Sequence, residues 1–166
     1  LPDFKTKIEP KSWEKFFTPL GLRNFAYGWD RIENVLWRIY HDELEGFNAK
    51  NIIIMIGTNN IPLNSDDEII EGLSLISEAV KARQPKSKIS LMGILPKRNF
   101  EERIKKLNVK ISSLAKKLSL NYEYMGDALL KKDGSNQIDE NLFSDGLHPN
   151  KIGYKKIRGE LLKVLD

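Results

Sequence analysis

The stretch "NIIIMIGTNN" at 51–60 constrains this chain more than any other. Side chains along a strand alternate between its two faces, so a run that is apolar at every position is apolar on both. Such a strand needs cover on both sides, and helices on either face of a parallel sheet supply it. Other segments repeat the signal. "LRNFAY" (22–27), "KISLMGILP" (88–96) and "LNYEYMGD" (120–127) read as further strands. Amphipathic helices alternate with them. Asp30 opens one that runs through Leu44, with Ile32, Val35, Leu36 and Ile39 on one face and Asp30 and Glu33 as a capping box. Ser65 and Glu68 cap the next, whose inward face is Ile69, Leu73, Ile76 and Val80 and which stops before Pro85. A third spans 101–119, with Ile104, Leu107, Ile111, Leu114 and Leu118 inward. "KSWEKFF" (11–17) reads as a short helix entering from Pro10, and a last helix follows Pro149. The alternation predicts an α/β sandwich built on a parallel sheet.

Composition narrows the function classes. A chain of 166 residues suits one domain, 1–166, with one core. No apolar run approaches the ~18–20 residues of a membrane span. The net charge of +4 comes from lysines scattered over several helices, with no aromatic-interleaved basic stripe. That describes a solvated surface rather than a nucleic-acid site. Cysteine is absent, which excludes disulfides, thiolate nucleophiles and Cys-based zinc sites and leaves the compartment open, cytoplasmic or periplasmic and secreted. The sequence opens "LPDFKTK", without an initiator Met, so the chain is expected to have been processed or trimmed, and the lack of a visible signal peptide carries little weight.

In open α/β sheets, ligands bind beyond the C-terminal ends of the strands. "GTNN" and "YGWD" lie at such expected strand ends, and three segments carry polar groups suited to chemistry. "DGLHPN" (145–150) sets Asp145 three residues before His148, with Pro149 holding His148 out of the helical region and well placed as a first helical residue. An Asp there can accept from the imidazole Nδ1–H and leave Nε2 as a base; equally, the segment can be a capping turn with an exposed histidine. In "GTNN" (57–60), Gly57 allows a sharp turn, and an Asn amide can donate to a developing oxyanion or simply end a strand. "NFAYGWDRIENVLWRI" (24–39) is a strand, a glycine turn and a helix whose N-terminal N–H groups attract anionic charge. Trp29 there is either a substrate wall or a packing residue, and His41 reads as structural. The connection over 131–149 is longer than most, which favours a functional loop.

Taken together and in order, these segments resemble the SGNH (GDSL-type) hydrolase family, in particular the alpha subunits of platelet-activating factor acetylhydrolase and bacterial acylhydrolases built like them. The likeness runs through "WEKFFTPL", "NFAYGWDRIENVLWRI", "IIIMIGTNN", "GILP" and "DGLHPNKIGY". It implies a three-layer α/β/α sandwich with a flavodoxin-like parallel sheet. It further implies a Ser-His-Asp triad in which His148 is the base and Asp145 the acid, with Asn59 as an oxyanion-hole donor. A lipid or carbohydrate acyl ester of short acyl chain, an acyl-enzyme intermediate, no metal or other cofactor, and a homodimer belong to the same implication.

Two departures from the family pattern stand out. The family usually presents a glycine directly before the Asp of its second block, with its backbone N–H in the oxyanion hole. Trp29 occupies that position here, one residue after Gly28, so Trp29 inherits the backbone role and Gly28 and Tyr27 become candidate substrate contacts. The second departure concerns the nucleophile, which the family carries in "GDS" or "GNS" at the end of its first strand. Neither tripeptide occurs in these residues, and Ser12 lies beside Trp13 on an apparent helix. The resemblance therefore implies that the domain is N-terminally incomplete, with its first strand missing from the chain, a nucleophile at or just before Leu1, a central slot between 22–27 and 51–56, and poor folding of the 166 residues alone. A degenerate family member that binds ligands or partners without catalysis is the alternative. A flavodoxin-like cofactor binder would need a Gly/Ser/Thr-rich phosphate loop, and none is visible.

Overall fold

The computed structural model describes residues 14, 15 and 17–165. The chain divides into two compact units, Leu1–Asp30 and Arg31–Asp166.

In the second unit, strands β1 (Asn51–Ile54), β2 (Lys88–Met92) and β3 (Asn121–Glu123) form a parallel sheet in the order β1-β2-β3. The register pairs Ile52 with Ile89 and Ser90 with Asn121. Helices α1 (Ile32–Tyr40), α2 (Asp66–Arg83), α3 (Glu101–Lys117) and α4 (Lys151–Leu165) alternate with or follow these strands. Strand alternation divides the core. Ile52, Ile54, Ile89 and Leu91 join the inward faces of α1, α2 and α3. Ile53 and Met92 point the other way, into a second cluster with Met125, Leu129, Ile138, Leu142, Phe143 and Ile157 of α4. The doubly apolar strand therefore has helices on both faces, as its pattern requires.

The expected inward residues of α2, Ile69, Leu73, Ile76 and Val80, are all buried, as are Ile104, Leu107, Ile111 and Leu114 of α3. The α2 cap also forms as expected. Ser65 Oγ accepts from the Glu68 N–H at 3.3 Å and Glu68 Oε2 accepts from the Ser65 N–H at 2.7 Å. The α1 cap differs: the helix starts at Ile32, and the Asn34 side chain accepts from the Arg31 N–H at 3.0 Å in place of an Asp30–Glu33 box. It also ends at Tyr40 rather than Leu44. Two buried amides anchor loops that the apolar pattern leaves undefined. Gln84 donates to the Leu44 and Phe47 carbonyls at 2.7 and 2.9 Å, and Asn108 bonds both the N–H and the carbonyl of Ile94 at 2.8 and 2.9 Å.

In the first unit, 22–27 is not a strand. A strand needs a neighbour to share its ladder, and none pairs with 22–27 among the described residues. Leu22 and Phe25 are half-buried, and the Asn24 side chain accepts from the Ala26 N–H at 2.9 Å, a local bond that competes with a ladder. Before it, Thr18–Leu20 make one 3-10 turn closed by Gly21 in the left-handed region. The helix expected over 11–17 lies largely outside the described residues, as does Ser12; Glu14 and Lys15 are helical. Likewise β1 pairs on one side, with β2, among the described residues, so 51–56 and 22–27 do not pair with each other.

Candidate active site

The long connection after β3 is ordered by short bridges. Leu130 pairs with Ile138, and Phe143 with Pro149. The Ser144 N–H donates to the His148 carbonyl at 2.9 Å, and the Asn150 N–H to the Leu142 carbonyl at 2.8 Å. Asn150, not Pro149, then opens α4: its Oδ1 accepts from the N–H groups of Ile152 and Gly153 at 2.9 and 3.1 Å. Pro149 lies one residue outside the cap, buried in the bridge to Phe143. Its role is therefore to end the bridge rather than to start the helix.

Within that frame Asp145 folds the chain onto itself. Its Oδ1 accepts from the backbone N–H groups of Leu147 and His148 at 3.0 and 2.7 Å. Its Oδ2 meets His148 Nδ1 at 2.8 Å. Partial burial pushes the carboxyl upward. The His148 N–H, the imidazole and the Leu147 N–H outweigh that and hold Asp145 at about 2. At neutral pH Asp145 is ionised and can only accept, so the proton of the contact sits on Nδ1 and Nε2 is left basic. The His148 side chain retains 36% exposure, so the ring is not sealed into the core. Burial, and then the charge of Asp145, push the phenol of Tyr154 on α4 upward and keep it neutral.

The "GTNN" turn follows β1. Gly57 has φ +119°, which favours glycine, and a Cβ there would also crowd Ile94 Cδ1 at 3.1 Å. The two asparagines then part. Asn60 is buried, at 3% exposure. Its Oδ1 accepts from the Ile32 N–H at 3.0 Å, and its Nδ2 donates to Glu33 Oε2 and Asn64 Oδ1 at 3.1 and 3.0 Å. Asn60 thus ties the strand end to the start of α1, a use of its amide that leaves none for a ligand. Asn59 is half-buried beside it. Arg103 of α3 secures the rest of the turn, donating to Asp66 Oδ1 at 2.9 Å, to the Asn64 carbonyl at 2.6 Å and to the Ile61 carbonyl.

Because β1 and β2 are parallel, the segments leaving their C-terminal ends emerge at the same end of the sheet. "GTNN" leaves β1 there. The segment leaving β2 reaches Arg98, whose N–H donates to the Gly146 carbonyl at 2.9 Å. The Asp145–His148 turn is thereby held at the sheet end that also carries Asn59. Tyr27, Gly28 and Trp29 belong to the first unit. Trp29 has φ +68° and is 85% exposed, whereas Gly28 takes no positive φ and a Cβ on it would meet nothing within 4 Å. The left-handed position expected for glycine is thus occupied by Trp29. The ring of His41 stacks on Trp37 with centroids 3.8 Å apart, and its Nδ1 lies 2.6 Å from the Trp37 carbonyl, in keeping with a structural role.

Sequence reasoning expects Asn60 to matter less than Asn59 for catalysis but misses its structural bonds, and it misses Arg98 and Arg103 altogether. An Arg six residues beyond β2 carries no local signal, whereas Asn60 could have been found from the i, i+4 spacing of Asn60 and Asn64 around a turn. Among the described residues, no group of three His, Asp or Glu is placed to hold a metal ion, and no helix is long and apolar enough to cross a membrane.

The GDSL-like Lipase/Acylhydrolase family matches residues 10–156. The chain is 34% identical over 150 residues to human "Platelet-activating factor acetylhydrolase IB subunit alpha2", covering 87% of this chain and 64% of that protein. It therefore spans less than two thirds of that relative's length. Against the subunit beta homolog of Drosophila melanogaster, identity is 29% over 168 residues, 98% of this chain and 73% of that one. Among solved structures, a GDSL-like lipase from Bacteroides thetaiotaomicron superposes with a TM-score of 0.80 at 20% identity, covering 93% and 80% of the two chains. The psychrotrophic esterase EstA from Pseudoalteromonas sp. gives 0.70 at 19% identity, covering 94% and 84%. The last two likenesses are of fold.

Proposed function

The chain belongs to the GDSL-like lipase/acylhydrolase family, and from that premise we propose that it is a serine esterase acting on short-chain, acetyl-like acyl esters of lipids or carbohydrates. The observation that carries the reading is the Asp145–His148 contact, an ionised carboxylate 2.8 Å from Nδ1 with two backbone N–H groups fixing its orientation. In this mechanism His148 Nε2 takes the proton of a serine Oγ as it attacks the ester carbonyl. The imidazolium, stabilised by Asp145, returns that proton to the departing alcohol. Water then adds to the acyl-enzyme with His148 again as base, and the carboxylic acid leaves. The Asn59 amide donates to the oxyanion in both steps. The backbone N–H of Trp29 is assigned the same task, and Gly28 and Tyr27 are assigned to the substrate, all three on the family resemblance alone.

The serine is assigned to a further strand beside β1, outside these 166 residues. In support, β1 is apolar on both faces, yet has a ladder partner on one side among the described residues. A strand apolar on both faces is characteristic of the interior of a parallel sheet, with a neighbour on either side. Homodimer formation follows from the same likeness. The second reading is a family member that binds ligands or partners without catalysis. One experiment separates the two. The full-length protein is assayed on a panel of acyl esters beside His148→Ala, with circular dichroism to confirm the fold. Loss of turnover by several orders of magnitude is expected. Near-wild-type hydrolysis by the variant would remove His148 from the mechanism, and no hydrolysis by the wild type would favour the binder.

A further inference from the structure

The turn between Asp145 and His148 is held from outside by a residue that takes no part in the chemistry described above. Gly146 lies between the carboxylate and the imidazole in sequence, at φ +78°. Its carbonyl accepts from the Arg98 N–H at 2.9 Å. The Arg98 side chain then folds back over the same glycine. A Cβ on Gly146 would lie 2.6 Å from Arg98 Cζ, 2.7 Å from Nε and 2.9 Å from Nη2, so the guanidinium rests on the Gly146 backbone. It is not free to swing away. Nε and Nη2 make a paired contact with Glu140 Oε1 and Oε2 at 2.7 and 2.6 Å. Such a planar fork fixes direction as well as distance. Glu140 stands on the 3-10 turn Glu140–Leu142, which is itself tied to Asn150 at the start of α4 through the Leu142 and Asn141 carbonyls.

We propose that Arg98 is a positioning residue for the Asp145–His148 pair: clamped by Glu140, it presses on Gly146 and fixes the turn that aims the imidazole. The inference rests on the esterase reading for its importance, but not for its test. The charge of Asp145 acts on Arg98, from the segment after β2, and on the neutral phenol of Tyr154, from α4, while Glu140 reaches the pair through Arg98.

The test is the imidazole N–H spectrum of the full-length protein, labelled with 15N-histidine. Wild type is expected to show a solvent-protected Nδ1–H for His148, assigned by its loss in His148→Ala. His41, whose Nδ1 lies against the Trp37 carbonyl, serves as the internal control. In Arg98→Ala the His148 signal should exchange with solvent roughly tenfold faster while that of His41 is unchanged. With an ester substrate, kcat should fall roughly ten- to a hundredfold with KM within about twofold, because misplacement acts on the reacting geometry. Arg98→Lys keeps the charge but not the fork, so it should recover less than half of either effect. An unaltered His148 signal in Arg98→Ala, or full recovery in Arg98→Lys, would overturn the proposal. Should Arg98→Ala not fold, Glu140→Gln decides on the same spectrum: a smaller shift in the same direction supports the clamp and no change overturns it. If the His148 signal depends on Arg98 while His148→Ala still hydrolyses esters, the esterase reading fails and the clamp stands.

Discussion

Replacing Asn59 and Asn60 one at a time should separate catalysis from stability across a single peptide bond. Asn60→Ala removes the acceptor of the Ile32 N–H, which belongs to a residue only 6% exposed. Leaving that buried donor unpaired costs ~1–3 kcal/mol. The half-buried Asn64 loses its donor as well, at ~0.5–1.5 kcal/mol. Glu33 lies at the surface and rehydrates, so its lost bond adds little. Together the change should lower stability by about 2–4 kcal/mol, which for a chain of this size is a fall in Tm of roughly 5–15 °C. Asn60→Asp keeps the acceptor but sets a second carboxyl against Glu33, whose own carboxyl is held below the usual range despite partial burial, in part by the Asn60 amide. The introduced carboxyl should titrate above its unfolded value, so that variant should approach wild type as pH falls and lose ground as pH rises. Asn59→Ala should instead melt within about 1 kcal/mol of wild type and lose ~10²–10³-fold in kcat, with a smaller change in KM. Thermal unfolding by circular dichroism, together with ester kinetics below the lower Tm, measures both. If Asn60→Ala melts with wild type, or if folded Asn60→Ala is the more damaged in kcat, the division of roles between the two asparagines is wrong.

Further outcomes concern the turn before α1 and the acid limit. Trp29→Gly should melt higher than Trp29→Ala by about 1 kcal/mol, because alanine retains the Cβ that strains a φ of +68° and glycine does not; the reverse order would refute the left-handed assignment. Gly28→Ala, with open space around its Cβ, should stay within about 0.5 kcal/mol of wild type by the same measurement. Asp145 at about 2 against an ordinary 3.8 contributes stability that is present above pH ~4 and is lost as pH falls through the folded value. Asp145→Asn should therefore flatten that part of the acid unfolding curve, followed by fluorescence, and an unchanged slope would show that the carboxylate is not held by the turn.

The sequence by itself determined the layers and the local turns. Burial acts on each residue through the period of its own element. Ile69, Leu73, Ile76 and Val80 therefore announce the inward face of α2 before any partner is known. The Ser65–Glu68 cap and the Asp145–His148 contact each span three residues, so both partners can be read from one short stretch of sequence. Tertiary structure decided whatever depends on a partner distant in sequence. Residues 22–27 have strand-like composition, but a ladder exists only where a neighbour supplies its other half. Asn60 and Asn59 are the same residue type in the same turn. What separates them is the helix start 28 residues away that meets one side chain and thereby excludes it from ligand chemistry. Arg98 and Glu140 lie 42 residues apart. No spacing rule joins them, because their contact is set by where the end of β2 and the loop before α4 converge, and that convergence follows from packing rather than from any short segment of sequence.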